Sequence, residues 1–223
     1  MIEQQHIIDL FTRLGHAAAA IITQATAREF RMSAPRVRLL EKAALQALGS
    51  QPACVACTPV QTPRAGALLF VFNSPMDTLL PELFINPEAV AAPPQFSELH
   101  QGAVTELMSI FWGEAAPLLG QKTGVPIKVL NPVVAHQPLS DFMDAVPLFT
   151  GLDSFIVAEH TLEWPGHASG DIMQVYPAVF FKELLAAPEE IVPAPPANPQ
   201  TQEALTAIPV QRVAPDIVKN LKE

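Results

Sequence analysis

Two cysteines in 223 residues are too few for a disulfide framework, and the pair Cys54-x-x-Cys57 has no second pair to complete a zinc site. The ten glycines never fall in the spacing of a phosphate-cradling loop. No Gly-x-Ser-x-Gly elbow is present, and His136, His160 and His167 lack the spacing of metal ligands. His160 and His167 flank "TLEWPG", a hairpin pattern with Pro165 and Gly166 at its turn, and are read as surface residues. Basic residues number 13 against 22 acidic ones, a net charge of −9, which leaves no footprint for nucleic acid. No run approaches 18 apolar residues, which argues against a spanning helix. The opening "MIEQQHIIDLF" lacks the basic region and apolar core of a signal peptide. The expectation is a cytosolic chain, with no membrane insertion and neither cofactor nor metal.

What the chain does have is core-forming material: 49% hydrophobic and 16% charged residues, enough for a sizeable core and incompatible with disorder of the whole chain. The run "ACVACTPV" is β-branched and alternating up to Pro59, so it predicts a strand with Cys54 and Cys57, three apart, on opposite faces as buried core thiols.

The 23 prolines concentrate in "NPEAVAAPPQF" and "APEEIVPAPPANP", and each cluster follows a segment of one kind. "GALLFVFNSPMDTLLPELF" precedes the first and "GDIMQVYPAVFFKELL" the second, each a Gly-led strand, a proline-marked break and a short apolar helix. Upstream of these lie two matching segments: a helix with a small-residue cluster, a turn, and a strand reaching a proline. The predicted order is helix, strand, strand, strand, helix, twice over. Thr26 and Thr123 are 97 residues apart, as are Pro35 and Pro132, whereas Gly15 and Gly113 are 98 apart and Gly66 and Gly170 are 104 apart. A pseudo-twofold duplication explains these offsets, with halves over residues 1–93 and 94–190. Residues 191–223 then form a Pro-rich linker and a tail that either docks or is disordered.

Both long helices read as amphipathic. Ile7, Leu10, Phe11, Leu14, Ala18, Ile21 and Ile22 form the buried stripe of the first, with Asp9, Thr12, Arg13 and His16 outside it. In the second, Val104, Leu107, Met108, Phe111 and Leu118 are the expected stripe, and Glu106 and Ser109 lie off it, one turn apart.

The pattern Glu106-x2-Ser109-x3-Gly113-x-Ala115-Ala116, with Pro132 standing 23 residues after Ser109, resembles the signature Glu-x2-Asn-x3-Gly-x-Ala-Ala of the CheC/CheX/FliY family of chemotaxis phosphatases. The duplicated order of elements is also similar to that family and to the middle domain of flagellar switch proteins, over roughly residues 5 to 190. The resemblance implies an α+β, CheC-like fold, an antiparallel sheet packed by helices from two similar halves. It further implies binding to a phosphorylated CheY-like receiver domain, with Glu106 pairing a receiver lysine. In the family the Asn orients the water that hydrolyses an aspartyl phosphate, and positioning carries most of such catalysis. Here Ser109 stands in its place, shorter and without an amide's two ends, so weak or lost phosphatase activity is implied. A CheD-like protein or flagellar switch components are further implied partners, and a non-catalytic adaptor in a motor or signalling complex is the alternative. In the first half, counting back from Pro35 gives the weaker pair Asp9 and Thr12, whereas aligning on Gly15 gives Ile8 and Phe11.

Overall fold

The apolar run Pro52–Gln61 is a strand covered on both faces in the computed structural model, which describes residues 4–61, 65–123 and 126–179. Cys54, Ala56 and Val60 face one core, and Val55 and Cys57 face another. The two thiols therefore sit on opposite faces, both buried. A strand buried on both sides reads as a continuous hydrophobic segment.

The elements run α1 (Gln4–Thr26), β1 (Arg31–Met32), β2 (Arg36–Glu41), α2 (Lys42–Leu48), β3 (Pro52–Gln61), β4 (Ala65–Phe72) and α3 (Met76–Ile85). There follow α4 (Glu98–Thr123), β5 (Lys128–Val129), β6 (Val133–Pro138), α5 (Leu139–Ala145), a 3₁₀ turn (Pro147–Phe149), β7 (Ser154–Trp164) and β8 (Ala168–Pro177). From α4 to β8 the second list repeats the order α1 to β4 of the first, with the 3₁₀ turn added. All the described strands join one antiparallel sheet in the order β1-β7-β8-β4-β3-β5, with β2 beside β7 and β6 beside β3. The fold is α+β and duplicated about the central β4 and β8 pair.

The edge strands are exchanged between halves. β2 pairs with β7 from Arg36 opposite Glu159 to Glu41 opposite Ser154, and β6 pairs with β3 from Pro52 opposite Pro138 to Cys57 opposite Val133. An ion pair between Arg38 and Glu159 adds to the first exchange. Neither half completes its own sheet.

Helices α1, α3 and α4 cover one face. Phe11 of α1 meets Tyr176 edge to face at 5.0 Å, and Phe111 of α4 meets Phe70 at 4.9 Å. Such pairs add about 0.5–1.5 kcal/mol beyond the burial of the rings. The stripe on α1 is as the periodicity predicts, with Ile7 only partly buried. On α4, Val104, Leu107, Met108 and Phe111 are buried, but Leu118 is 40% exposed and Leu119 takes the buried place. The stripe continues through Ala115 to Leu119 at four-residue steps, which turns Leu118 outward.

The other face is covered by α2, α5 and the 3₁₀ turn through Leu45, Leu139, Phe142, Met143, Val146 and Phe149. Two of these, α2 and α5, depart from the predicted order of elements. Each is seven residues long and neither has a side-chain cap. Their first N–H groups are satisfied by distant carbonyls: Lys42 donates to Asp153 and Leu139 to Gly49, both at 2.9 Å. The expected closing helix after β8 and the tail 191–223 lie outside the described residues, apart from a helical start at Ala178 and Val179.

His160, expected at the surface, is buried. The alternation of β7 turns it toward the α1 face, where Nδ1 lies 3.0 Å from the Ser33 carbonyl and Nε2 3.2 Å from the Gln174 amide nitrogen. An amide nitrogen can only donate, so Nε2 accepts and Nδ1 carries the proton. Tyr176 donates to Gln174 at 3.1 Å and completes the network. His167 is exposed at the hairpin and stacks on Trp164 at 4.0 Å.

Candidate functional site on the outer face of α4

The start of α4 is set by Ser97 and His100, which cap each other: the His100 N–H donates to Ser97 Oγ at 3.4 Å, and the Ser97 N–H to His100 Nδ1 at 3.0 Å. The other ring nitrogen of His100 lies 3.0 Å from Glu82, which ties α4 to α3. From this anchored end the helix presents its outer face. Glu106 and Ser109 are both exposed on it, one turn apart, as their spacing implies.

Beside Ser109 the surface opens into a cleft of about 650 Å³ between α4 and the β5 segment, with Gly113, Ala116, Ile127 and Pro132 in its lining. Gly102 and Gly113 are exposed, and a Cβ at either would meet nothing within 4 Å. Leu99 is 71% exposed and Ile110 41%, so α4 has apolar residues on its solvent side as well as on its core side. An isolated exposed leucine needs no explanation.

The Ser109 hydroxyl donates to the Thr105 carbonyl at 2.8 Å. On α1, Thr12 does the same with the Ile8 carbonyl, also at 2.8 Å. A hydroxyl bonded back along its own helix keeps its oxygen as an acceptor but has committed its only proton. Asp9 is exposed beside Thr12, whereas Phe11, the alternative position from the glycine alignment, is fully buried. Glu106, Ser109 and Asp9 therefore lie outward and Thr12 is half-buried, the two pairs standing on separate helices.

The cysteines offer no chemistry here: burial pushes the Cys57 thiol up to about 12 and the Cys54 thiol higher still, the latter with a smaller push from Asp77. Among the described residues no group of three or more His, Cys, Asp or Glu side chains could hold a metal. No helix among them is long and apolar enough to cross a membrane.

A second polar group was not legible in the sequence. Asp77, in the first turn of α3, is buried and lies 2.9 Å from His136 of β6, and Phe96 stacks on that imidazole at 4.9 Å. Asp77 and His136 are 59 positions apart, and only the packing of α3 across the β6 edge brings them together.

No family model and no curated protein matches the sequence. Solved structures do match in three dimensions. The chain is similar to Thermotoga maritima FliY, with TM-score 0.68, 20% identity, 82% of this chain and 96% of the other covered. It is similar to a chain of the FliG–FliM complex from H. pylori, with TM-score 0.64, 9% identity and 83% and 99% covered. It also resembles the chemotaxis protein CheX from Desulfovibrio desulfuricans, with TM-score 0.50, 10% identity and 76% and 99% covered. At such identities the likeness is one of architecture, and the chain has the CheC/CheX/FliY-type fold.

Proposed function

We propose that this chain is a cytosolic chemotaxis or flagellar-switch protein that binds a phosphorylated CheY-like receiver domain through the outer face of α4, with weak or lost aspartyl-phosphate phosphatase activity. The observation that carries the reading is the state of the Ser109 hydroxyl, whose proton is given to the Thr105 carbonyl, beside an exposed Glu106. Such a face can dock a partner, but it offers no amide to hold a water in line with a scissile bond. Thr12 leaves the corresponding place on α1 in the same condition.

The test is the decay of a phosphorylated CheY-like receiver with and without the protein in excess. The expected outcome is the spontaneous rate together with binding that favours the phosphorylated form. Accelerated decay would make Ser109 or another group a working water-positioning residue. Glu106→Lys sets like charges against a receiver lysine, so calorimetry should show receiver affinity down at least about tenfold. Unchanged affinity would remove Glu106 from the contact. In Ser109→Asn, which supplies the amide, decay should rise above that with the natural chain.

The second reading is a non-catalytic adaptor in a motor complex, favoured by the architecture shared with a chain of a FliG–FliM complex. Binding to switch components with no preference for phosphorylation would select it. A CheD-like partner is a further proposal tested by the same binding experiment.

A further inference from the structure

Strand β6 pairs with β3 on one side, and no other described strand lies along its outer side. That outer side opens into a cleft of about 550 Å³ between β6, the start of α3, the start of α4 and the loop from Ala92 to Ser97. The Gln101 side-chain amide reaches across from α4 and donates to the Val134 carbonyl at 2.8 Å. That carbonyl therefore points off the sheet, and antiparallel alternation turns the backbone groups of His136 the same way. The opposite wall includes Pro93 and Pro94, and proline has no N–H with which to pair a strand.

The cleft holds two carboxylates, and one of them, Asp77, is already bonded to His136. Asp77 is on its floor, only 6% exposed, and Glu98 is among its lining residues, with no lysine or arginine beside them. Phe96 covers the imidazole of His136 and supplies an apolar wall. A free strand edge supplies main-chain hydrogen bonds, and the pockets beside it choose among alternate side chains. Acidic groups in those pockets select cations.

We propose that this cleft is a docking site for an extended, basic segment of a partner protein, which adds as a strand to the outer edge of β6 and directs a lysine or arginine toward the exposed Glu98. The segment pairs with Val134 and His136 and displaces the Gln101 amide. This site is separate from the outer face of α4 and does not depend on receiver binding.

The test uses the full chain and two fluorescein-labelled hexapeptides, alternating valine with lysine and alternating valine with glutamate. The lysine peptide should bind in anisotropy titrations at least tenfold more tightly than the glutamate peptide. In nuclear magnetic resonance spectra the amide signals of Val134 and His136 should move most. Glu98→Lys, a change at an exposed position, should weaken the lysine peptide tenfold or more, and Gln101→Ala, which frees the Val134 carbonyl, should strengthen it. Equal binding of both peptides, no binding at millimolar peptide, or shifts confined to the outer face of α4 would overturn the proposal. Val134 and His136 amides already protected from exchange in the full chain alone would also overturn it, since the edge would then be occupied by the chain itself or a second copy.

Discussion

His160 is the residue whose chemistry departs furthest from what its surroundings in sequence suggest. Burial lowers its pKa from the ordinary 6.5, against the opposing effect of the Ser33 carbonyl and with a smaller contribution from His16. The unfolded chain therefore takes up the proton first as pH falls. The network's stabilisation is complete above about pH 6.5 and is lost as pH drops through that value toward the lowered one. Urea midpoints measured from about pH 8 down to about pH 5 should fall more for the natural chain than for His160→Gln, whose side chain does not titrate. Parallel curves would show that the imidazole is not held neutral by the fold. Neither the burial nor the proton's location on Nδ1 was legible in "AEHTLEW", because both follow from Ser33 and Gln174 lying across the ladder.

At the level of elements, α1 and α4 act as internal controls for each other. A Cβ at Gly15 would lie 2.7 Å from the His160 ring and 3.1 Å from the Met32 sulfur. That ring is held at both nitrogens and cannot yield easily. At the corresponding Gly113 nothing stands within 4 Å. Gly113→Ala should stabilise the protein by about 0.5–1 kcal/mol through helix propensity. Gly15→Ala should destabilise it by about 1–3 kcal/mol through overpacking. Denaturant titration of the two variants decides this, and equal effects would mean that the two helices do not differ as described. The amphipathic stripes of both helices were readable from spacing, as was the pairing of Glu106 with Ser109 on one face. The exposed side of Leu118 was not, because the choice between neighbouring leucines depends on the line of the helix over Phe70 and its neighbours.

For the whole molecule, the exchange of β2 and β6 couples the halves. Opening one half would strip β7 or β3 of a partner along six residue pairs and expose an edge together with both cores. Thermal unfolding followed by calorimetry should therefore show one transition for the described body, with calorimetric and van't Hoff enthalpies in agreement. Two resolved transitions would mean that the halves are independent units despite the shared sheet.

The duplication and the strand through Cys54 and Cys57 were determined by the sequence alone, because repeated spacings and apolar periodicity are local properties, and the α+β class followed from the resemblance carried by the Glu106 to Pro132 motif. The outward pairing of an acid and a hydroxyl on α4 was also determined by the sequence alone. The tertiary structure decided what no local pattern encodes: which half each edge strand joins, the seven-residue helices started by distant carbonyls, the meeting of Asp77 with His136, and the burial of His160. Each of these depends on groups far apart in the chain, and their free energy exists only once the sheet has brought them together.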